Sequence, residues 1–504
     1  MPMQTIATRR GALALCALIL TTAFLPAISP LAARDELPAH PDKIDYGELT
    51  FDPPSASEYR DTLSNGVVVY LLQDRALPLV NVSFTFSGGD YLDPVGKEGL
   101  ASLTGAMLRR GGTTTIAPEE LDERFDFLAA QTGAGIGAES ASASLDALTR
   151  NFDESFLLFM DMLRNPGFDA ERFSTLKSEV IEGLKQRNDN GDSILRREWQ
   201  SLVYGSDHFE ARQPTLASIE SISIDEMRAF HRRIFHPGNL VIGVTGDFEP
   251  VAMKSALEKA LGGWQAGERP PTPPAPTHAM TPGVYFVEKD IPQGKVSIGM
   301  RGLTRDHPDS TTLRVMNLIL GGGGFTSRIT NKVRTEEGLA YSAGSQMSPS
   351  YYYPGEFRAF FQSKSSTCAL ATKLILEEVE RIRTEPVTQE ELDVAKASVI
   401  ETFPRAFESK KAVRDLFVGE EWRPHVDGFF ENYRKRVAAI TVEDVQRVAR
   451  EHLDPSKVAI LVVGKWDDIS AGDQTGRAKM ADFFDGEATE LPLRDPLTLE
   501  PIGP

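Results

Sequence analysis

The sequence predicts an α+β protein made of two homologous halves, each with antiparallel-rich sheets covered by helices. Three observations carry this: a proline-rich divider, matching ends and matching beginnings. The stretch from Gly262 to Gly283 holds Pro270, Pro271, Pro273, Pro274, Pro276 and Pro282. Clustered prolines favour extended, semi-rigid linkers. The first portion closes with Ser223-Ile-Asp-Glu226, a capping box that opens an amphipathic helix. Phe235-His236-Pro237 follows, then a strand from Leu240 to Thr245 and Gly246. The second closes with Thr441-Val-Glu-Asp444, Leu453-Asp454-Pro455, a strand from Val458 to Val463 and Gly464. One offset of 218 residues carries Ser223 onto Thr441, Pro237 onto Pro455 and Gly246 onto Gly464.

In chain order, Arg9 and Arg10 precede an apolar run from Gly11 to Leu25, then small residues with Pro26 and Pro30. That is the layout of a signal peptide, cleaved near Ala33. The run is about 15 residues, short of the roughly 20 that span a bilayer. Residues 1–33 are therefore expected as a leader, 34–57 as an extension and 58–261 as the first half. The linker is 262–282, the second half 283–466 and the tail 467–504, where periodicity fades. Each half opens alike. Asn65-Gly66 turns into a strand from Val67 to Leu72, followed by Val80 to Phe86 and a helix over about 98–110 that Gly111-Gly112 stops. In the second half, strands at 284–288 and 295–300 precede a helix from Ser310 to Leu320, stopped by Gly321.

Composition narrows the function classes. Fifty-four Lys plus Arg against 72 Asp plus Glu give a net charge of −18. This balance argues against a broad nucleic-acid footprint or docking on anionic lipid. Of two cysteines, Cys16 leaves with the leader, so Cys368 has no intramolecular partner. Export without disulfides points to a periplasm and a fold stabilised by its core. No later apolar run is long enough for a membrane span. Eight histidines keep a metal site open on composition alone. His231 and His236 are five apart, a poor match to one helix face, and read as helix surface and cap.

The helix at Gly99 to Leu108 carries a resemblance. With Asp93-Pro-Val-Gly-Lys-Glu-Gly-Leu-Ala101 before it and Gly112-Thr113 after it, it resembles the zinc helix of the pitrilysin/insulinase-type metallopeptidases, which include the mitochondrial processing peptidase. In that family the helix bears H-x-x-E-H: two zinc ligands on one face and a glutamate that activates water. The resemblance places the ligand positions on Ser102 and Ala106, the general base on Gly105 and the third ligand on Gly183. None of these side chains is a zinc ligand. The chain is therefore expected to carry no catalytic metal of its own.

The second half is similar to the family's C-terminal domain. The segment from Leu320 to Ile329 leads into Val333-Arg-Thr-Glu-Glu-Gly-Leu-Ala-Tyr-Ser342. In the family an arginine and a tyrosine at this spacing contact substrate, which implies that role for Arg334 and Tyr341. Both are hydrogen-bond donors, suited to a peptide carbonyl and its developing oxyanion. The run Gly321, Gly322, Gly323, Gly324 follows a helix and lacks the lysine of a phosphate-binding loop. It looks like a short form of a glycine-rich substrate loop. The tyrosines in Ser348 to Pro354 are either peptide-facing or strand packing.

The resemblance thus implies a zinc-less subunit of a periplasmic two-chain peptidase, inactive alone. The partner would be a zinc-bearing homologue, the ligand a peptide, and the zinc would sit in the partner. The alternative is a non-enzymatic peptide-binding or structural core-type subunit with the same fold.

Overall fold

The computed structural model describes residues 40, 44, 50–423 and 428–502. The expected leader lies outside the described residues. From Phe51 to Pro504 the chain forms one unit around two six-stranded sheets.

The first sheet contains β1 (Arg60–Thr62), β2 (Val68–Gln73), β3 (Leu79–Ser87), β4 (Gln131–Ile136), β5 (Ser140–Leu148) and β6 (Leu240–Gly246). Their order is β1-β2-β6-β3-β5-β4. Only the β2–β6 pair is parallel. The second contains β7 (Gly283–Glu288), β8 (Gln293–Arg301), β9 (Ala340–Ser348), β10 (Glu356–Lys364), β11 (Ala459–Gly464) and β12 (Ala488–Glu490). Its order is β12-β7-β11-β8-β10-β9, with β7 parallel to both neighbours. Five strands of each sheet are wound identically, as the repeated sequence pattern requires.

Strand chemistry follows position. In β3 burial alternates along Leu79–Ser87, with Val80, Val82, Phe84 and Phe86 inside. In β6 and β11 nearly every residue is buried. Such continuous apolar runs mark strands covered on both faces. The helices of each half cover one face of its own sheet. The other face is covered by a helix from the opposite half. The helix Gly191–Tyr204 lays Ile194, Leu195, Trp199 and Val203 on Val287, Ala459, Leu461 and Val463. The helix Lys410–Glu420 lays Val413, Phe417 and Val418 on Tyr70, Leu72 and Val241.

Each exchanged helix carries a buried polar anchor. Trp199, 2% exposed, donates Nε1–H to Glu356 Oε2 at 2.6 Å. Arg414, 1% exposed, donates to Asp415 and to the Asn81 side chain.

Three expectations need revision. Residues 467–502, the described part of the expected tail, are not loose. They include β12 on the edge of the second sheet, and Arg494 donates Nε–H to both oxygens of Glu198 at 3.2 Å. Leu497 accepts from the Leu216 amide at 2.8 Å. His231 and His236 are buried rather than on the surface. His231 bonds the Leu163 carbonyl at 2.8 Å, and His236 Nδ1 accepts from the Gly267 amide at 3.1 Å. The helix expected to run to Leu320 is regular only over Ser310–Asn317. It then widens into a turn in which Gly323 N–H reaches Leu318 O, five residues back.

Removing the larger anchor should weaken both halves together. Trp199→Ala is expected to cost about 3–5 kcal/mol of stability. Trp199→Phe should cost less, about 1–3 kcal/mol, chiefly by leaving the Glu356 carboxyl buried without its donor. Denaturant titration followed by circular dichroism checks this. Separate unfolding of one half in Trp199→Ala, with the other at its original midpoint, would show that the exchanged helix does not couple them.

Candidate functional site

The helix Leu100–Arg110 holds the positions where the family resemblance calls for zinc ligands and base. The buried Asp93 carboxylate caps its start, accepting from Gly99 N at 2.9 Å and Ala101 N at 2.8 Å. Ser102 is exposed and spends its hydroxyl on Gly99 O at 3.1 Å. Ala106 is half-buried. Gly183 lies exposed on the helix Ala170–Lys185, with open space where a side chain would begin. Gly105 differs. It is pressed against edge strand β4, and a Cβ there would sit 2.5 Å from the Ile136 nitrogen. The general-base position is thus filled by backbone, and this helix packs as a structural element. Zinc does not fit these residues, which offer no carboxylate, imidazole or thiolate.

A small cavity of about 90 Å³ beside this helix is lined by Asp90, Asp93, Glu98, Ser102 and Arg212. Burial, with Glu210 nearby, raises the Asp90 carboxyl to about 6, and its Oδ1 has no hydrogen-bond partner among the described residues. Burial raises Asp93 to about 7, against the two amides that favour its charged form.

The second half assembles most of its expected residues. Arg334 lies in the wide turn Asn331–Glu336, and Tyr341 follows in β9. The pairing of β9 with β10 slips between Phe361 and Ser363, so Tyr341 and Ser342 together face Gln362. Such a bulge re-aims a side chain at a sheet edge. The Arg334 guanidinium sits 4.7 Å from the Tyr341 ring centre and 4.5 Å from that of Phe325. Tyr341 is 84% exposed and Phe325 67% exposed. Among the described residues no carboxylate pairs with Arg334. Gly321, Gly322, Gly324, Phe325 and Arg334 line one open groove of about 320 Å³, to which β9 contributes Ser342 to Gln346.

The glycine run does more than turn the chain. Gly321 presses on β9, where a Cβ would meet the Ser345 nitrogen at 2.5 Å. Gly323 lies outside the groove lining and carries the wide-turn amide. The edge of β9 is partly spent. Ala343 O accepts from Thr330 Oγ1 at 2.8 Å, and Ser345 O from Asn317 Nδ2 at 3.2 Å. A peptide strand adding there would share those carbonyls with the two side chains. The tyrosines of the β9–β10 connection pack inward. Tyr353, 2% exposed, joins the first core and donates to Glu210 Oε1 at 2.7 Å.

Sequence reasoning missed Phe325, whose context signals only a helix start. It also missed a grouping of His307, Asp309 and His452. Asp309 accepts from Arg447 Nη2 at 2.7 Å and bonds His452 Nε2 at 2.7 Å. The arginine holds its carboxyl down to about 2. His307 Nδ1 accepts from the Asp309 amide at 3.1 Å. These polar atoms are engaged with one another, tying the end of the helix Val442–His452 to the start of Ser310–Asn317. Cys368 is buried, and burial pushes its thiol up to about 12, which makes it inert.

Two outcomes follow. Ser102→His, Gly105→Glu and Ala106→His together should fail to create a zinc site, because Gly105→Glu drives a side chain into β4. Gly105→Glu alone should cost at least about 1–3 kcal/mol. A triple variant that melts with the wild type and holds one zinc by metal analysis would refute this. The second outcome concerns pH. Unfolded aspartates titrate near 3.9, so the raised Asp90 and Asp93 favour folding when protonated. That stability is present below about pH 4 and lost as pH rises through 6 and 7. Melting temperature should fall across that window and fall less in Asp90→Asn; an identical pH profile would exclude Asp90 as a source.

Comparison with known proteins agrees with this geometry. Residues 221–399 match the Peptidase M16 inactive domain. A Helicobacter pylori protein named non-peptidase homolog YmxG is 25% identical over 69% of this chain and 81% of its own. A Rickettsia bellii protein named as an uncharacterized zinc protease is 22% identical over 71% of this chain and 86% of its own. The crystal structure of a peptidase M16 inactive domain from Pseudomonas fluorescens superposes with a TM-score of 0.72 at 25% identity. It covers 80% of this chain and 97% of that one. The chain is thus similar in sequence and fold to the pitrilysin/insulinase-type (M16) peptidases, and its residues 221–399 match the inactive domain of that family.

Proposed function

We propose that this chain is the non-catalytic subunit of a heterodimeric periplasmic zinc peptidase. It supplies substrate contacts to a zinc-bearing homologue that hydrolyses peptides. The observation that carries this reading is Arg334. It is a cation that no carboxylate pairs with among the described residues, beside two exposed aromatic rings on the rim of an open groove. This occurs in a chain whose own zinc positions are Ser102, Gly105, Ala106 and Gly183. Contact with ring faces leaves a guanidinium's N–H groups free to donate to a peptide carbonyl. Tyr341 adds a second donor beside it. Together they would fix a peptide and stabilise charge that develops on its carbonyl oxygen. The leader expected at residues 1–33 supports the periplasmic assignment.

The test is a pull-down from the native periplasm, followed by a peptidase assay on the recovered complex and on each chain alone. Activity should appear only in the complex. Arg334→Ala with Tyr341→Phe should lower kcat/KM about 10²–10³-fold, the scale of losing oxyanion donors, while the complex still forms. Full activity in that double variant would refute the roles given to the pair. A stable complex without peptidase activity would favour the non-enzymatic peptide-binding reading.

A further inference from the structure

We infer that the second half holds a binding site for a small amphipathic carboxylate, a monocarboxylic acid with a medium-length apolar body, in a pocket apart from the Arg334 groove. The inference does not depend on the peptidase reading.

The pocket is built from elements of the second half. It lies between the helix Ser310–Asn317, the end of the helix Gln389–Thr402 with the tight turn Phe403–Phe407, the helix Phe429–Ala439 and the far end of β9. Its volume is about 580 Å³, within the roughly 300–1,000 Å³ of small-molecule sites. It adjoins the groove at Gly322, Ser345 and Gln346, but Phe325, Arg334 and Tyr341 do not line it.

The walls are largely apolar. Leu313, Met347, Val399, Phe403, Phe429 and Tyr433 form them, and the Tyr433 ring lies 5.3 Å from that of Phe403 and 5.5 Å from that of Phe429. The buried polar pair in the wall is satisfied internally. Ser345 Oγ donates to Asn317 Oδ1 at 2.7 Å, and Asn317 Nδ2 donates to Ser345 O at 3.2 Å.

Charge selects the ligand. Two arginines, Arg305 and Arg314, line the pocket, and among the described residues no carboxylate does. This runs against the balance of the chain, in which 72 acidic residues outnumber 54 basic ones. Arg314 is exposed, and among the described residues no carboxylate pairs with it. Arg305 is half-buried and meets Glu420, which is outside the lining, at 3.2 Å. Burial lowers Arg305 from the usual arginine range; Glu420 opposes this, and the neighbouring cations Arg423 and Arg314 add to it. Two guanidiniums on one apolar pocket favour an anionic head with an apolar body. Charge-assisted hydrogen bonds hold the head while the body leaves water. A cationic head would meet like charge, and a neutral one would gain little beyond burial.

Isothermal titration of the full mature chain with decanoate, decanol and decylamine tests this, since the three share a chain length and differ in head group. Decanoate should bind once per chain with a Kd of about 10–100 µM. Decanol should bind about tenfold more weakly, and decylamine more weakly still. Arg314→Met should weaken decanoate about tenfold and leave decanol within about twofold. Ala406 is exposed and lines the pocket. Ala406→Trp should therefore narrow it and weaken decanoate and decanol alike, while melting with the wild type. Equal affinity for all three head groups would overturn the inference, because burial alone would explain it. Decanoate binding that survives both variants, or that is lost in Arg334→Ala, would place the ligand elsewhere and overturn it. So would the absence of decanoate binding up to its solubility limit. A wild-type dimer that Ala406→Trp dissociates, read by light scattering, would assign the pocket to a second copy and overturn it too.

Discussion

The exchange of helices between the halves is the constraint on which the rest of the structure depends. The central strands β6 and β11 are apolar on both faces. Each half can cover only one of those faces with its own helices. The helix Gly191–Tyr204 and the helix Lys410–Glu420 close the remaining faces reciprocally. Neither half is therefore a complete core alone, although each has a complete sheet. The orientation of the halves is set by these packed helices rather than by the proline-rich linker. Trp199 with Glu356, and Arg414 with Asn81 and Asp415, fix where along each sheet the helix sits. Apolar contacts alone would tolerate sliding; a buried donor whose acceptor lies in one place does not.

Within that frame the helix Leu100–Arg110 is held by its cap and its packing. The helix Leu100–Arg110 is still capped by Asp93 and still packs on β4. At Gly105 the backbone of β4 occupies the space that a side chain would need. The second half shows the opposite pattern. No carboxylate pairs with Arg334 among the described residues, in a chain with a large excess of acidic residues. Arginines elsewhere, such as Arg328, Arg447 and Arg477, meet carboxylates closely.

The sequence made the repeat legible because the repeat is written in caps, prolines and strand runs at a constant offset. The strands placed from the sequence, β2, β3, β6, β7, β8 and β11, fall within a residue or two of their expected places. Arg334 and Tyr341 were legible through their motif. The helix exchange was not, because an amphipathic pattern shows that a face is buried and not which sheet buries it. The helix Gly191–Tyr204 reads like any other. The strand β12 was missed because three residues carry no usable alternation. His307 and His452 meet only through the tertiary fold. The bulge at Tyr341 and Ser342 was invisible for a similar reason, since it is a property of register against β10.

The strand that carries Tyr341 is held at both ends, which bears on how its donors act. At the far end of β9 the connection to β10 is anchored in the first half, where Tyr353 is buried and bonds Glu210. Near Tyr341 the strand is pinned by Thr330 and Asn317 through the carbonyls of Ala343 and Ser345. Gly321 presses on the same strand. Donors on a strand fixed in this way need little reorganisation to meet a ligand, which is the condition for strong electrostatic stabilisation. The coupling also runs the other way. Because Tyr353 reaches into the first core, a shift of one half against the other would move β9, and with it the geometry between Tyr341 and Arg334. The helix exchange that closes the cores therefore also sets the shape of the groove.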